Sequence, residues 1–502
     1  MNPVFEQLKK QLDRVQAMSM AMTLFHWDNA TCAPKQGIET TAKAMGILSG
    51  ELYHALINDN VKDLMHQLEK ENDLDEFEQA VLKELKKTYE DLELIPAEEY
   101  QAFSELTSAS QHVWQEAKEK NDFSMFAPML DKIIFYQKKF ADYALKAKGT
   151  FETRYDKLLN DYEEGFTTKE LDDFFGKLKE TIVPLVKMVS EKKDKIKKEY
   201  ASRSYPIEKQ REFNEWIARY VGFDFDRGVM AESAHPFTTE LHNKDVRITT
   251  AYMEDLMESA IFSTIHESGH AVYEMDVDDQ YTFSMVGGGT SMGMHESQSR
   301  LYENNIGRSR AFWEPIFPKL KECFQEQLED VDLDTFFIGI NKAEPSLIRT
   351  EADELTYCLH IMVRYEIEKM FMNHDLKTEE IKEIWNQKYE EYLGIRPEND
   401  AEGVLQDVHW SQGSIGYFPS YAIGNAVAAQ IYAHLQKVMP VEEYLRKGTM
   451  APIIEYLKEH VHRFGKTKNM QQILVAMTGE GFNPDYYTTY LKEKYTAIYE
   501  NL

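Results

Sequence analysis

Two histidines set four residues apart, in Thr264-Ile265-His266-Glu267-Ser268-Gly269-His270, constrain this chain more than any other stretch. On an α-helix, residues i and i+4 leave the same face, so both imidazoles can reach one metal ion at about 2.0–2.1 Å. Glu267 sits about 100° further round the helix than His266. It is aimed to bond a water held by the metal rather than the metal itself. No proline interrupts residues 254–275, so the helix this H-E-x-x-H spacing needs is predicted there.

A metal site that does chemistry keeps three protein ligands and one open position. His295-Glu296-Ser297 follows a glycine-rich loop, Met285-Val286-Gly287-Gly288-Gly289, and opens another helical run. Glu296 stands 26 residues after His270 (296 − 270). That interval suits a second helix returning beside the first and delivering a carboxylate ligand, with His295 as the competing ligand. An acid at a helix start is also favoured by the helix dipole alone.

The rest of the chain reads as helix. Only 24 glycines and 15 prolines occur in 502 residues, so breakers are sparse. A hydrophobic fraction of 43%, with 28 Tyr and 27 Phe, is ample for a large core and excludes global disorder. The formal net charge of −29 repels phosphate backbones and anionic membranes, so neither nucleic acid nor membrane is an expected partner. No run approaches the roughly 18 apolar residues that span a bilayer. Cys32, Cys323 and Cys358 are odd in number and lack C-x-x-C spacing, which points to a reducing, cytoplasmic setting. Residues 17–25 faintly imitate a signal peptide, but Phe5, Leu8, Leu12 and Val15 step by three and four as in an amphipathic first helix.

Taken in order, the N-terminal third reads as successive long helices. Phe77, Val81, Leu85, Tyr89 and Leu92 form a core stripe ended by Pro96. Phe25–Pro34 is expected to be an aromatic-rich turn between the first two helices. Thr167-Thr168-Lys169-Glu170 is a capping box, predicting a helix from Thr168 toward Tyr200 with a kink at Pro184. His235-Pro236-Phe237-Thr238-Thr239 and Asp245–Thr250 are short, alternating and Thr-rich, and read as one or two β-strands beside the metal helix. Leu347–Tyr357 is predicted to begin a helix carrying Arg349, Asp353, Tyr357 and His360 on one stripe, either as an ion-pair network or as the wall of a binding cleft. Gly403–Trp410 and Gly416–Tyr421 are loops rich in functional groups. No linker divides the chain, so residues 1–502 are expected to form one domain, with the N-terminal helices, roughly 1–100, as a lid.

Taken together, His235-Pro236-Phe237, Asp245-x-Arg247-x-Thr249, His266-Glu267-x-x-His270, His295-Glu296-Ser297, Ile348-Arg349-x-x-Ala352-Asp353 and Gly403-x-x-Gln406-Asp407-x-His409-Trp410 resemble the motif series of the carboxypeptidase Taq family. Trp27-Asp28, Thr31 and Pro34 resemble its N-terminal pattern. The resemblance spans nearly the whole chain. It implies a mainly α, cleft-containing fold similar to neurolysin and angiotensin-converting enzyme, with a small β-sheet beside the zinc helix. It further implies a cytoplasmic homodimer that removes C-terminal residues from peptides with a free C-terminus, with broad specificity. The implied ligands of Zn²⁺ are His266, His270 and Glu296, with Glu267 as general base; Co²⁺ or Mn²⁺ suits the same set. Many wider relatives carry an Asp four residues after the ligand Glu to orient a zinc histidine, whereas Arg300 stands here. Asp353 is the candidate for that role.

In neurolysin-like enzymes a tyrosine about three helical turns beyond a histidine meets the oxyanion. His409 and Tyr421 fit that pattern, with Tyr417 in reserve. A free carboxylate calls for an arginine fork, and Arg349 and Arg247 both stand in motifs. His235, from the first motif, is expected to bind substrate. Two other readings are an oligopeptidase cutting internal bonds and a non-catalytic helical scaffold. Glu267 and the three-ligand set speak against the scaffold, since structural zinc sites are closed by four ligands.

Overall fold

The computed structural model describes residues 2–500 and 502. They form two compact units, each assembled from three separate stretches of chain. The first unit comprises Met1–Glu90, Lys198–Ile340 and Ile431–Phe482; the second comprises Asp91–Lys197, Asn341–Gln430 and Asn483–Leu502.

In the first unit, helix α1 (Pro3–Thr31) starts where Asn2 accepts the backbone N–H groups of Val4 and Phe5 and Pro3 occupies the first turn. Its stripe of Phe5, Leu8, Leu12 and Val15 is buried as the three-and-four spacing requires. It packs with residues of α2 (Ile38–Leu56), α3 (Asp59–Leu68) and α4 (Glu76–Glu93), including Leu56, Leu64, Leu68, Val81 and Leu85. The expected turn over residues 25–34 is a correction. Helix α1 continues through Thr31, whose Oγ1 donates to Trp27 O at 2.7 Å, and the chain turns only from Cys32. No breaker precedes Pro34, so nothing stops the helix earlier.

Helix α5 (Ile207–Tyr220) leads into three strands, β1 (Gly228–Glu232), β2 (Thr238–His242) and β3 (Asp245–Thr250). Their order is β1-β3-β2, with β1 parallel and β2 antiparallel to the central β3. Alternation in β3 buries Val246 and Ile248 against Ala218 of α5 and Ala271 and Met275 of α6 (Met257–Met275). The sheet has one strand more than expected. Strand β1 lacks an alternating pattern, and its partner lies across a parallel pairing that local sequence does not reveal. His235 falls outside β2, in the exposed turn before it. Helix α7 (Met292–Arg300) is capped by Ser291, packs on α6 and continues as a π-helical turn over Leu301–Ile306.

In the second unit, the capping box at Thr167 and Glu170 starts the helix Thr168–Lys192 as expected. That helix carries Pro184 inside it and stops at Lys192, eight residues short of Tyr200. The stripe expected on Leu347–Tyr357 is a second correction. Arg349–Glu351 is a 3₁₀ turn and the α-helix begins only at Tyr357. The Asp353 carboxylate accepts the backbone N–H groups of Leu355 and Thr356, which closes a turn ahead of the helix instead of continuing one through it. Mainly α, with a small sheet packed on α6, is the fold of this chain.

Candidate metal centre

His266 and His270 lie one turn apart on α6, their ring centroids 5.0 Å from each other. Glu296 is supplied by α7. Its Oε2 is 3.9 Å from His266 Nε2 and 3.7 Å from His270 Nε2, and the three ligand atoms all lie within 4.8 Å of one another. Two donors bound tetrahedrally at about 2.1 Å would stand about 3.4 Å apart, so the trio fits one cation with little inward movement. The two helices approach this closely because residue 269 is glycine. A Cβ there would lie 2.8 Å from both Gln298 O and Ser299 Cα.

The remaining polar atoms of the trio are already engaged. His266 Nδ1 is 2.9 Å from Glu303 Oε2, and His270 Nδ1 is 2.6 Å from His295 Nδ1. Arg300 Nε donates to Glu296 Oε1 at 2.6 Å. What is left unengaged is one Nε2 from each histidine and one carboxylate oxygen, a donor set suited to a divalent cation. Burial holds the His270 imidazole well below its ordinary pKa and therefore neutral.

Glu267 is buried beside these ligands, and burial raises its pKa. Thr238, at the start of β2, donates its hydroxyl to Glu267 Oε2 at 2.5 Å and fixes the carboxylate's orientation. Glu303 stands in the opposite condition. Burial alone would raise it, but Arg300, His266 and Arg308 hold it well below the usual carboxylate range. Arg300 and Arg308 donate to it at 3.1 and 3.2 Å. The role assigned to Asp353 is therefore corrected: Glu303 backs His266, while Asp353 spends its oxygens on the N–H groups of Glu344, Leu355 and Thr356 and on the Thr356 hydroxyl.

Arg247, also in the first unit, forms a two-point pair with Asp245 at 2.8 Å and lies 5.6 Å from the Trp27 ring. Trp27 in turn packs edge-on against Phe237.

The second unit holds its own cluster. Arg349 donates to Asp407 Oδ1 through Nε and Nη2 at 3.0 and 2.9 Å, and through Nη1 to Tyr357 Oη at 3.0 Å. Arg364 Nε donates to Asp407 Oδ2 at 2.7 Å. Burial opposes ionisation of Asp407, yet the two guanidinium groups hold it well below the usual carboxylate range. His409 Nε2 is 3.4 Å from Tyr421 Oη, and Tyr417 stacks on the His409 ring. Burial keeps His409 neutral, its pKa brought down to about 4.

Comparison with known proteins decides the family. Residues 7–495 match the family model described as carboxypeptidase Taq (M32) metallopeptidase. The chain belongs to that family. Carboxypeptidase 1 of Bacillus subtilis is 44% identical over 97% of both chains, and thermostable carboxypeptidase 1 of Pyrococcus furiosus is 38% identical over 98% of this chain and 99% of that one. Among solved structures, an M32 carboxypeptidase from Deinococcus radiodurans superposes with a TM-score of 0.96 at 33% identity, covering 99% of this chain and all of that one. A carboxypeptidase structure from Pyrococcus furiosus gives 0.94 at 37% identity, with 99% of each chain covered. This M32 protein is thus a metallocarboxypeptidase, and peptides are its substrate class. No helix among its described residues is long and apolar enough to cross a membrane.

Four residues after Glu296 stands Arg300, not an acid. Position i+7 of the same helical face is Glu303, and that signal was present in the sequence. The strand pattern places Thr238 beside the metal helix, but that its hydroxyl meets Glu267 is fixed only by the packing of β2 on α6.

Proposed function

We propose that this M32 protein is a zinc-dependent carboxypeptidase that removes residues one at a time from free peptide C-termini with broad specificity. The observation that supports it most is the convergence of three otherwise unengaged donor atoms, from His266, His270 and Glu296, beside the buried carboxylate of Glu267. Bound by those three residues, the metal supplies Lewis acidity and acidifies the water next to it. Glu267 would take a proton from the attacking water and return it to the leaving amine. Burial raises the pKa of Glu267, which makes it a better proton acceptor than an exposed carboxylate. Thr238 keeps the carboxylate turned for both transfers.

Tyr421, oriented by His409, donates to the oxyanion, with Tyr417 in reserve. The support is their mutual contact and the neutrality of His409, which leaves the phenol its proton. Arg349 and Arg247 are the two candidates for the substrate carboxylate. Arg349 has three of its donor contacts engaged on Asp407 and Tyr357, whereas Arg247 gives Nε and Nη2 to Asp245. His235, exposed in the turn before β2, contributes to substrate binding. Zinc suits the His₂Glu set, and cobalt or manganese fits it too.

The whole chain acts as one peptidase domain, with the N-terminal helices as a lid; the family match runs through segments of both units as one continuous stretch. A cytoplasmic homodimer accords with the family resemblance, and three cysteines outside any disulfide accord with a reducing compartment.

The test incubates one defined peptide, as free acid and as C-terminal amide, with zinc-loaded protein, and follows products by mass spectrometry. Stepwise loss from the free acid alone, stopped by a chelator, is the expected result. Internal cuts in both peptides would make the protein an oligopeptidase. No cleavage with zinc bound would leave only a scaffold.

A further inference from the structure

The two histidines on α6 are backed in different ways. His266 meets a carboxylate directly, whereas His270 meets a second imidazole. His295 Nδ1 faces His270 Nδ1 at 2.6 Å, and His295 Nε2 stands 2.6 Å from Glu274 Oε1. Glu274 is only 4% exposed, and the same Oε1 accepts the Gly289 N–H at 2.9 Å. Among the described residues its Oε2 has no hydrogen-bond partner, so the carboxylate acts entirely through one oxygen.

Hydrogen-bond chemistry fixes where the protons lie along this line. A neutral imidazole that offers Nε2 to a metal carries its proton on Nδ1. That N–H must find an acceptor, and the atom facing it is His295 Nδ1. His295 can accept there only if its own proton sits on Nε2, and the Glu274 carboxylate accepts that proton's hydrogen bond. In the reverse arrangement His295 would direct Nδ1–H at His270, and the His270 proton would move to the atom needed by the metal. A flip of the His295 ring would put carbon atoms where Nδ1 and Nε2 now face His270 and Glu274, so these two contacts hold its orientation. A Cβ at Gly289 would lie 2.7 Å from His295 Cδ2 and 2.8 Å from Tyr273 Cε1, so only glycine lets the loop close onto these rings. Tyr273 lies 5.1 Å from the His295 ring and accepts the Thr290 N–H at 3.1 Å, pinning the other side of the loop.

We propose that Glu274, acting through His295, is a positioning pair that holds His270 in its metal-binding tautomer. The inference rests on the metal centre described above, and it makes Glu274 matter to zinc although it does not touch the ligand atoms.

The test measures zinc affinity by competition with a chelator of known strength. Wild type is compared with Glu274→Met, Glu274→Gln, His295→Phe and the Glu274→Met/His295→Phe double variant. Glu274→Met and His295→Phe should each weaken zinc binding about 10–100-fold, the usual cost of losing the partner of a ligand histidine. The double variant should be no weaker than the worse single one, because Glu274 acts only through His295. Glu274→Gln keeps an acceptor on the carbonyl oxygen and should restore most of the affinity. Visible absorption of the cobalt-loaded Glu274→Met protein should shift as the His270 ring reorients, a change that a loss of stability alone would not produce. Unchanged zinc affinity in Glu274→Met, or losses that simply add in the double variant, would overturn the proposal. If Glu274→Met does not fold, unchanged affinity in His295→Phe overturns it instead. Zinc affinity unchanged in Glu296→Gln would refute the metal centre itself and take the positioning pair with it.

Discussion

The candidate metal centre of the first unit and the arginine cluster of the second both bury charge, yet they spend it in opposite ways. Around Asp407 both carboxylate oxygens are engaged within the protein: Arg349 and Arg364 share them, and Tyr357 takes a further N–H. Around Glu296 every auxiliary atom is engaged while one Nε2 from each histidine and one carboxylate oxygen converge without bonding one another. Satisfied charges hold a fold together. A converging set of unsatisfied donors needs an outside partner, and that is the mark of a metal site.

Substitutions can break this comparison from either side. The largest effect is expected for Glu267→Gln, which keeps the ligands but removes the base. The kcat for a free-acid peptide should fall about 10³–10⁴-fold with zinc content unchanged. Appreciable turnover would contradict the assigned base.

In the other unit, Asp407→Asn should leave zinc affinity alone and cost about 3–5 kcal/mol of stability by stranding two buried guanidinium groups, read by denaturant unfolding. A loss of zinc without a loss of stability would merge the two regions into one.

Tyr421→Phe sharpens the comparison, since it asks whether the second unit contributes chemistry as well as stability. The expected outcome is a fall of about 10²–10³ in kcat with little change in KM.

A smaller effect is expected with pH. His409 and His360 are held neutral by burial, His409 at about 4 and His360 well below its ordinary value. The unfolded chain takes up protons on both near pH 6.5 and the folded chain does not, so stability falls as pH drops below that value. His409→Gln should flatten this slope by about 1 kcal/mol at pH 5.5 and have no such effect at pH 7.5. An unchanged slope would show that His409 is charged in the native protein.

Much of the geometry of the candidate metal centre was legible because its logic is local. The four-residue spacing of His266 and His270, the stripe of Phe5, Leu8, Leu12 and Val15 and the Thr167 capping box are all statements about one helix. Glu296 was reached because one loop and one helix separate it from His270. Glu303 and Asp407 were read less well for different reasons. Glu303 lies one turn beyond the expected position on the same face, where a π-helical turn continues the stripe. Asp407 joins two arginines, 58 residues from Arg349 and 43 from Arg364, and nothing local announces such a partner. The region around Arg349 misled through propensity: a helical pattern was present, but the Asp353 side chain competed for the backbone and closed a turn.

The most direct test of the metal centre is a zinc titration of stripped protein, followed by turnover of a free-acid peptide. Activity should be absent without metal and return in proportion as one ion binds per chain. Full turnover in the stripped protein, or zinc bound one per chain without any return of activity, would contradict the assignment.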